Sequence, residues 1–255
     1  MSRVVALNTL AYQQVFSENK DCSQADVLKE LKSAGFQYVE VRREYFKNGQ
    51  AEMDRITDIS REQQLTLFYS VPDELFKENK LNPAVEGYFE EAKQLQAVQV
   101  KLTLGDLNDL TRLHANQIAA LLESTGIKLV IENDQTKEKG SANKLKAVME
   151  QAAQHGLPIG VTFDTGNFVY INENPVESAQ QLKSFVHYIH IKNVQKTDTG
   201  IEVTDIESGD LPIQDILREF PETVPCAIEY PCGEQDRIIE KLLHERNLLV
   251  ERFGR

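Results

Sequence analysis

The chain has 255 residues, 41% hydrophobic and 27% charged, enough apolar material for a sizeable core. It carries 40 Asp and Glu against 28 Lys and Arg, a net charge of −12, which argues against nucleic acid or an anionic membrane surface as a partner. The three cysteines, Cys22, Cys226 and Cys232, form no CxxC pair; this excludes a disulfide framework and a thiolate zinc site and points to a reducing compartment.

In chain order, short β-rich runs alternate with helical patterns. The runs are VVALNTL (4–10), YVEVRRE (38–44), LTLFYSV (65–71), VQVKLTL (98–104), IKLVIEN (127–133), IGVTFD (159–164), YIHIKNV (188–194) and PCAIEY (225–230). Helical spacing appears at 23–35, 83–97, 141–156, 174–185 and 237–253, several of these segments opening on Ser or Asn and closing at Gly. The N-terminal MSRVVALNTLAY lacks the apolar core and cleavage pattern of a signal peptide, and no run is long enough to span a bilayer, so a cytoplasmic location is expected.

Eight strand-like runs separated by helices read as parallel βα units, and eight units in this length fit a closed (β/α)8 barrel of the α/β class. An open doubly wound sheet would favour a Gly-rich turn after its first strand, and none is present. No Pro/Gly/Ser-rich linker divides the chain, so one barrel domain over 1–255 is expected. The longest irregular connection, 195–213, is read as a lid-like loop, with a small hairpin around Asp198-Thr199-Gly200.

Side chains alternate across a strand, so each run splits by parity. One parity is apolar: Val39/Val41, Leu102/Leu104, Leu129/Ile131, Val161/Phe163, Ile189/Ile191 and Cys226/Ile228. The other holds Glu40/Arg42, Lys101/Thr103, Glu132, Thr162/Asp164, His190/Lys192 and Glu229, and would point into the barrel. Buried charge is costly unless paired, bound to metal or facing a wet cavity. Most of these groups fall near the C-terminal ends of their strands, where barrel active sites are built.

Glu132, Asp164, His190 and Glu229 lie near the ends of successive strands and can converge on the barrel axis. Three carboxylates and an imidazole form a hard donor set suited to Mn²⁺ or Mg²⁺, with Co²⁺ or Zn²⁺ admissible. A cation also explains how three acids share one pocket. Each residue has a local reading too: His190 as a hydrogen-bonded core residue, Asp164 as a turn-former, Glu132 and Glu229 as partners of Lys101 or Lys192. Glu40 and Arg42 either form a structural ion pair or line the site for substrate. The convergence of all four favours the metal.

With these residues in place, the chain resembles the xylose-isomerase-like TIM-barrel family of sugar isomerases and epimerases. YVEVRR (38–43), IEND (131–134), FDTGN (163–167), HIKN (190–193), GDLPIQDIL (209–217) and IEYP (228–231) carry the resemblance over nearly the whole chain. More narrowly, VIENDQT (130–136), TFDTGNF (162–168) and AIEYP (227–231) resemble epimerases encoded in bacterial 2-ketogluconate utilisation clusters. The family resemblance implies a divalent metal on Glu132, Asp164, His190 and Glu229, with Glu132 and Glu229 as the acid/base pair.

Two positions depart from the pattern: Asn193 stands where many members have Asp, and Asn167 where several epimerases have His. The reaction implied is proton abstraction α to a ketose carbonyl through an enediolate. One or more of Arg42, Lys101 and Lys192 would bind an anionic group of a sugar or sugar acid, or else they neutralise the nearby acids, and Asn167 would bind a sugar hydroxyl; the small-molecule reading leaves room for a homo-oligomer. Alternatives are a metal-dependent sugar-acid dehydratase and a non-catalytic sugar-binding barrel. Five histidines and an acidic surface disfavour the endonucleases of the same fold.

Overall fold

The computed structural model describes residues 3–252. Eight parallel strands close into a barrel: β1 (Val5–Asn8), β2 (Tyr38–Arg42), β3 (Thr66–Lys77), β4 (Gln99–Gly105), β5 (Lys128–Glu132), β6 (Gly160–Asp164), β7 (Val186–Ile191) and β8 (Cys226–Ile228). Each pairs with its sequence neighbours, and β8 returns to β1 through Val5 opposite Cys226 and Leu7 opposite Ile228. The principal helices following the strands are α1 (Gln24–Leu31), α2 (Gln50–Gln63), α3 (Val85–Gln94), α4 (Arg112–Thr125), α5 (Ala142–Gln154), α6 (Pro175–Leu182), α7 (Ile213–Arg218) and α8 (Ile238–Asn247). All eight expected strands are present. The last helical pattern continues from α8 as a π-helical turn over Leu248–Arg252; Phe253, its expected end, lies outside the described residues.

The outward parity of the strands is apolar because it meets these helices. Val39, Val41, Leu102, Leu129, Ile131, Val161, Phe163, Ile189, Ile191 and Ile228 are fully buried in this outer layer. Fully burying such side chains is worth roughly 1.5–3 kcal/mol each. Ser23 and Asp26 form a capping box on α1, Thr111 caps α4, and Asn174 caps α6 ahead of Pro175. Arg3 ties the barrel closure from below: its buried guanidinium donates to the carbonyls of Leu217, Phe220, Pro221 and Val224 around the end of α7.

Two segments differ in extent from their sequence reading. β3 runs past Val71: its register against β4 shifts between Ser70 and Glu74, where Pro72 offers no N–H. It then resumes with Glu74 opposite Thr103, and turns through Glu78 and Asn79, at φ 51° and 59°, into a short strand at Lys80–Leu81. After β7 the chain forms an antiparallel hairpin, Asn193–Thr197 against Gly200–Thr204, with Asp198-Thr199 at its tip. No helix among the described residues is long and apolar enough to cross a membrane, and the three cysteines are free.

Candidate metal centre and active site

The inward parity divides into two levels. Ala6, Phe68, Tyr188 and Ala227 form a small apolar cluster inside the barrel, with Phe68 edge-on to Tyr188 at 5.0 Å between ring centroids. Two residues further along β7 and β8 the chemistry changes, to His190 and Glu229. Register aligns Asp164 with His190 and His190 with Ala227, and the Glu229 N–H bonds Ile191 O. Glu132 closes β5 opposite Thr162.

Glu132, Asp164, His190 and Glu229 thereby come together. One ligand atom from each lies within 4.8 Å of every other, and all four residues are buried. His190 Nδ1 is 2.6 Å from Glu132 Oε1 and 3.2 Å from Glu229 Oε2, while Nε2 is 2.7 Å from Glu40 Oε2. Tyr188 donates its hydroxyl to the same Glu40 oxygen at 3.1 Å. Glu40 therefore lies beneath the histidine and holds its outer nitrogen, a position suited to fixing the ring and its tautomer rather than to touching substrate.

The turn after β6 explains its sequence. Asp164 Oδ1 accepts the backbone N–H groups of Gly166 and Asn167, both at 2.8 Å, which leaves Oδ2 to face the cluster. Thr165 stitches β6 to β7, its hydroxyl donating to Lys192 O and accepting the Lys192 N–H. A Cβ on Gly166 would lie 2.9 Å and 3.0 Å from Cγ and Cε of Lys192, so glycine there makes room for the lysine stem.

The interior cations are each bound to an acid. Lys101 Nζ donates to Glu132 Oε2 at 2.6 Å, Arg42 to Glu229 Oε1 at 2.8 Å, and Lys192 Nζ is 2.8 Å from Asp164 Oδ2 and 3.8 Å from Glu229 Oε2. The alternative of a Glu40–Arg42 ion pair does not hold: Arg42 pairs with Glu229 and Glu44, whereas Glu40 bonds His190 and Tyr188. Asn167 is also committed, its amide donating to Asn133 O and accepting from Gln135.

The electrostatics are those of four acids sharing a dry pocket. Burial pushes Asp164 up to about 7; Lys192 opposes this, and Glu229 and Glu132 add to it. Burial works most strongly to raise Glu132, with Glu229 adding to it, but Lys101 and His190 together hold the carboxyl at about 2. Glu229, likewise buried, is held well below the ordinary range by His190, Lys192 and Arg42. Burial would lower His190, yet Glu229, Glu40 and Glu132 raise it well above its ordinary value and favour the charged ring.

A divalent ion fits this cluster on its donor chemistry. The set is oxygen-rich with one imidazole, Asp164 Oδ2 lacks a well-aligned hydrogen-bond donor, and Nδ1 of a neutral His190 would face the carboxylates while Glu40 keeps the Nε2 proton.

Asn193, the departure in the H-x-K-N stretch, is a staple the sequence reading did not foresee. Its amide donates to Ile206 O at 2.8 Å and accepts the Leu211 N–H at 2.9 Å, joining both ends of the excursion that follows β7. A Cβ on Gly209 would fall 2.3 Å from the Asn193 side chain, so this glycine admits the staple. The Asn-Gly pairing is the only signal that sequence offered, and it becomes readable once the loop is seen to close on itself.

A family model described as xylose isomerase-like TIM barrel matches residues 28–247. No curated protein matches the chain. Among solved structures, the fold is similar to the IOLI protein with a bound zinc atom, at TM-score 0.72 and 14% identity over 99% of both chains. It is also similar to D-psicose 3-epimerase from Clostridium cellulolyticum H10 with D-tagatose, at 0.70 and 9% over 98% of both. A third is the probable 3-DHS dehydratase AsbF from Bacillus anthracis, at 0.65 and 15% over 99% of this chain and 100% of that one. At such identities the likeness is one of fold.

Proposed function

Because the chain belongs to the xylose isomerase-like TIM-barrel family, we propose that it is a divalent-metal-dependent epimerase or isomerase of a ketose or keto-sugar acid. The observation that carries this reading is the disposition of the two glutamates. Glu132 on β5 and Glu229 just after β8 come from strands separated by β6 and β7, yet both reach the same ring nitrogen of His190. A sugar carbon seated over the cluster would have a carboxylate on either flank.

A divalent ion held by Glu132, Asp164, His190 and Glu229 would supply Lewis acidity toward the carbonyl and neighbouring hydroxyl of the sugar. One glutamate, kept ionised by Lys101 or Arg42, removes the proton α to the carbonyl and leaves an enediolate. The other, also held as a carboxylate here, takes up a solvent proton during that turnover and returns it to the opposite face. Direction of reaction decides which glutamate plays which part. Proton return to the neighbouring carbon instead gives aldose–ketose isomerisation.

The anionic end of a sugar acid, as the 2-ketogluconate resemblance suggests, would be met by Arg42 and Lys192, whose side chains retain 13% and 11% exposure against 4% for Lys101. Lys101 instead fixes Glu132. A dehydratase is the second reading, favoured by the full-length fold likeness to AsbF and by a shared first step of α-proton removal. Incubation with Mn²⁺ and a panel of ketoses and keto-sugar acids in D₂O separates these outcomes. Deuterium at a carbon flanking the carbonyl supports epimerisation or isomerisation, loss of water supports the dehydratase, and an inert panel counts against both.

A further inference from the structure

The three interior cations are bound in different ways. Lys101 makes a well-aligned 2.6 Å hydrogen bond to Glu132 Oε2 and is sealed from solvent. Arg42 divides its guanidinium between Glu229 and Glu44. Lys192 touches Asp164 Oδ2 at 2.8 Å off hydrogen-bond alignment, so that this buried oxygen lacks a proper donor. The other Asp164 oxygen is tied to the Gly166 and Asn167 N–H groups, which makes Oδ2 the one atom this aspartate can offer a cation. Lys192 and an ion bound at the quartet therefore compete for the same oxygen, and two cations on one carboxylate oxygen repel.

Lys192 is also the cation with somewhere to go. A lysine head is a compact charge on a flexible stem. The Lys192 stem lies in the slot that Gly166 leaves open, next to Val194, and its side chain keeps contact with solvent.

We propose that Lys192 is a place-holding cation: it neutralises Asp164 until a divalent ion takes Oδ2, and its displaced ammonium then forms the subsite for the anionic group of the substrate. The second half rests on the sugar-acid reading given above. The order of binding follows: metal first, anion second.

Calorimetric titration of Mn²⁺ into wild-type and Lys192→Met protein tests the competition. Removing one contact between charged groups is expected to tighten Mn²⁺ binding about tenfold. Titration of D-gluconate into the Mn²⁺-saturated proteins tests the subsite. The variant should bind it about tenfold more weakly, with neutral D-glucitol bound alike by both. Equal or weaker Mn²⁺ binding by the variant, or gluconate affinity indifferent to Lys192, overturns the proposal. Should Lys192→Met not fold, Gly166→Ala keeps the charge but crowds the stem; it should also tighten Mn²⁺, and unchanged affinity overturns the assignment equally. Wild-type protein that takes up no Mn²⁺ overturns the proposed function itself, whereas uptake by wild type with an indifferent variant overturns only the role of Lys192.

Discussion

The floor and the upper level of the barrel interior share strands and parity, yet one is apolar and the other ionic. Along β7 the step from Tyr188 to His190, and along β8 the step from Ala227 to Glu229, crosses from a packed cluster to a ring of charges. Open space lies at both ends of the strands: a cavity of about 810 Å³ sits past the end of β8, against Cys232, Arg237 and His244. A cavity of about 620 Å³ opens beside the strand N-termini, against Phe68, Gln99, Lys128 and His187, whereas the acid–base cluster is filled by its own ion pairs. Packed apolar side chains thus lie toward the strand starts and ionisable groups toward the strand ends, the division expected of this architecture. The Tyr188–Glu40–His190 chain of hydrogen bonds links the two levels, and Tyr188 also packs edge-on against the His190 ring at 5.2 Å.

The sharpest way to break this comparison is to exchange roles between levels. Glu132→Gln or Glu229→Gln should slow solvent deuterium exchange into substrate by about 10²- to 10⁴-fold, the usual worth of a general acid or base, with far-UV circular dichroism unchanged. Phe68→Ala on the floor should do the reverse, lowering unfolding free energy by about 3–5 kcal/mol in denaturant titration while Mn²⁺ affinity stays at the wild-type value. A floor variant that loses the metal would mean that the two levels are one unit.

Smaller effects probe the link and the rim. Glu40→Gln removes the carboxylate behind His190 and should weaken Mn²⁺ binding by about 10- to 100-fold, read by calorimetry, with little change in the floor packing. Asn193→Asp replaces a donor with a second acceptor facing Ile206 O, and should cost about 1–3 kcal/mol and quicken proteolysis between residues 194 and 211. Glu91, outside the barrel interior, gives the smallest effect. Burial would raise it, but hydrogen bonds from Arg43 and Tyr69 hold its pKa below the ordinary Glu value. The stability it contributes is present above the unfolded-state pKa and is lost as pH falls through the folded one. Glu91→Gln should therefore flatten the acid limb of the stability–pH curve, lowering stability most at neutral pH and least at the acid end.

Much of this was legible in the chain because alternation along a strand is a strictly local property. Splitting 188–192 or 160–164 by parity already separates wall from interior, and successive strand ends bring Glu132, Asp164, His190 and Glu229 together. Depth and pairing were not legible. Glu40 and Arg42 share a parity, but one lies under His190 and the other reaches Glu229 across 187 positions of sequence, a contact fixed only when β1 pairs with both β2 and β8. The continuation of β3 beyond Pro72 was hidden for a related reason: between Ser70 and Glu74 four positions of β3 span two of its neighbour, so two extra residues around Pro72 interrupt the run that identifies the strand.

A crystal grown with Mn²⁺ and measured at the manganese absorption edge tests the central claim most directly. A single anomalous peak bounded by Glu132, Asp164, His190 and Glu229, with Glu40 still on Nε2, is the result expected. Absence of a peak at full Mn²⁺ loading, with Lys101 still on Glu132 and Lys192 still on Asp164, would contradict it.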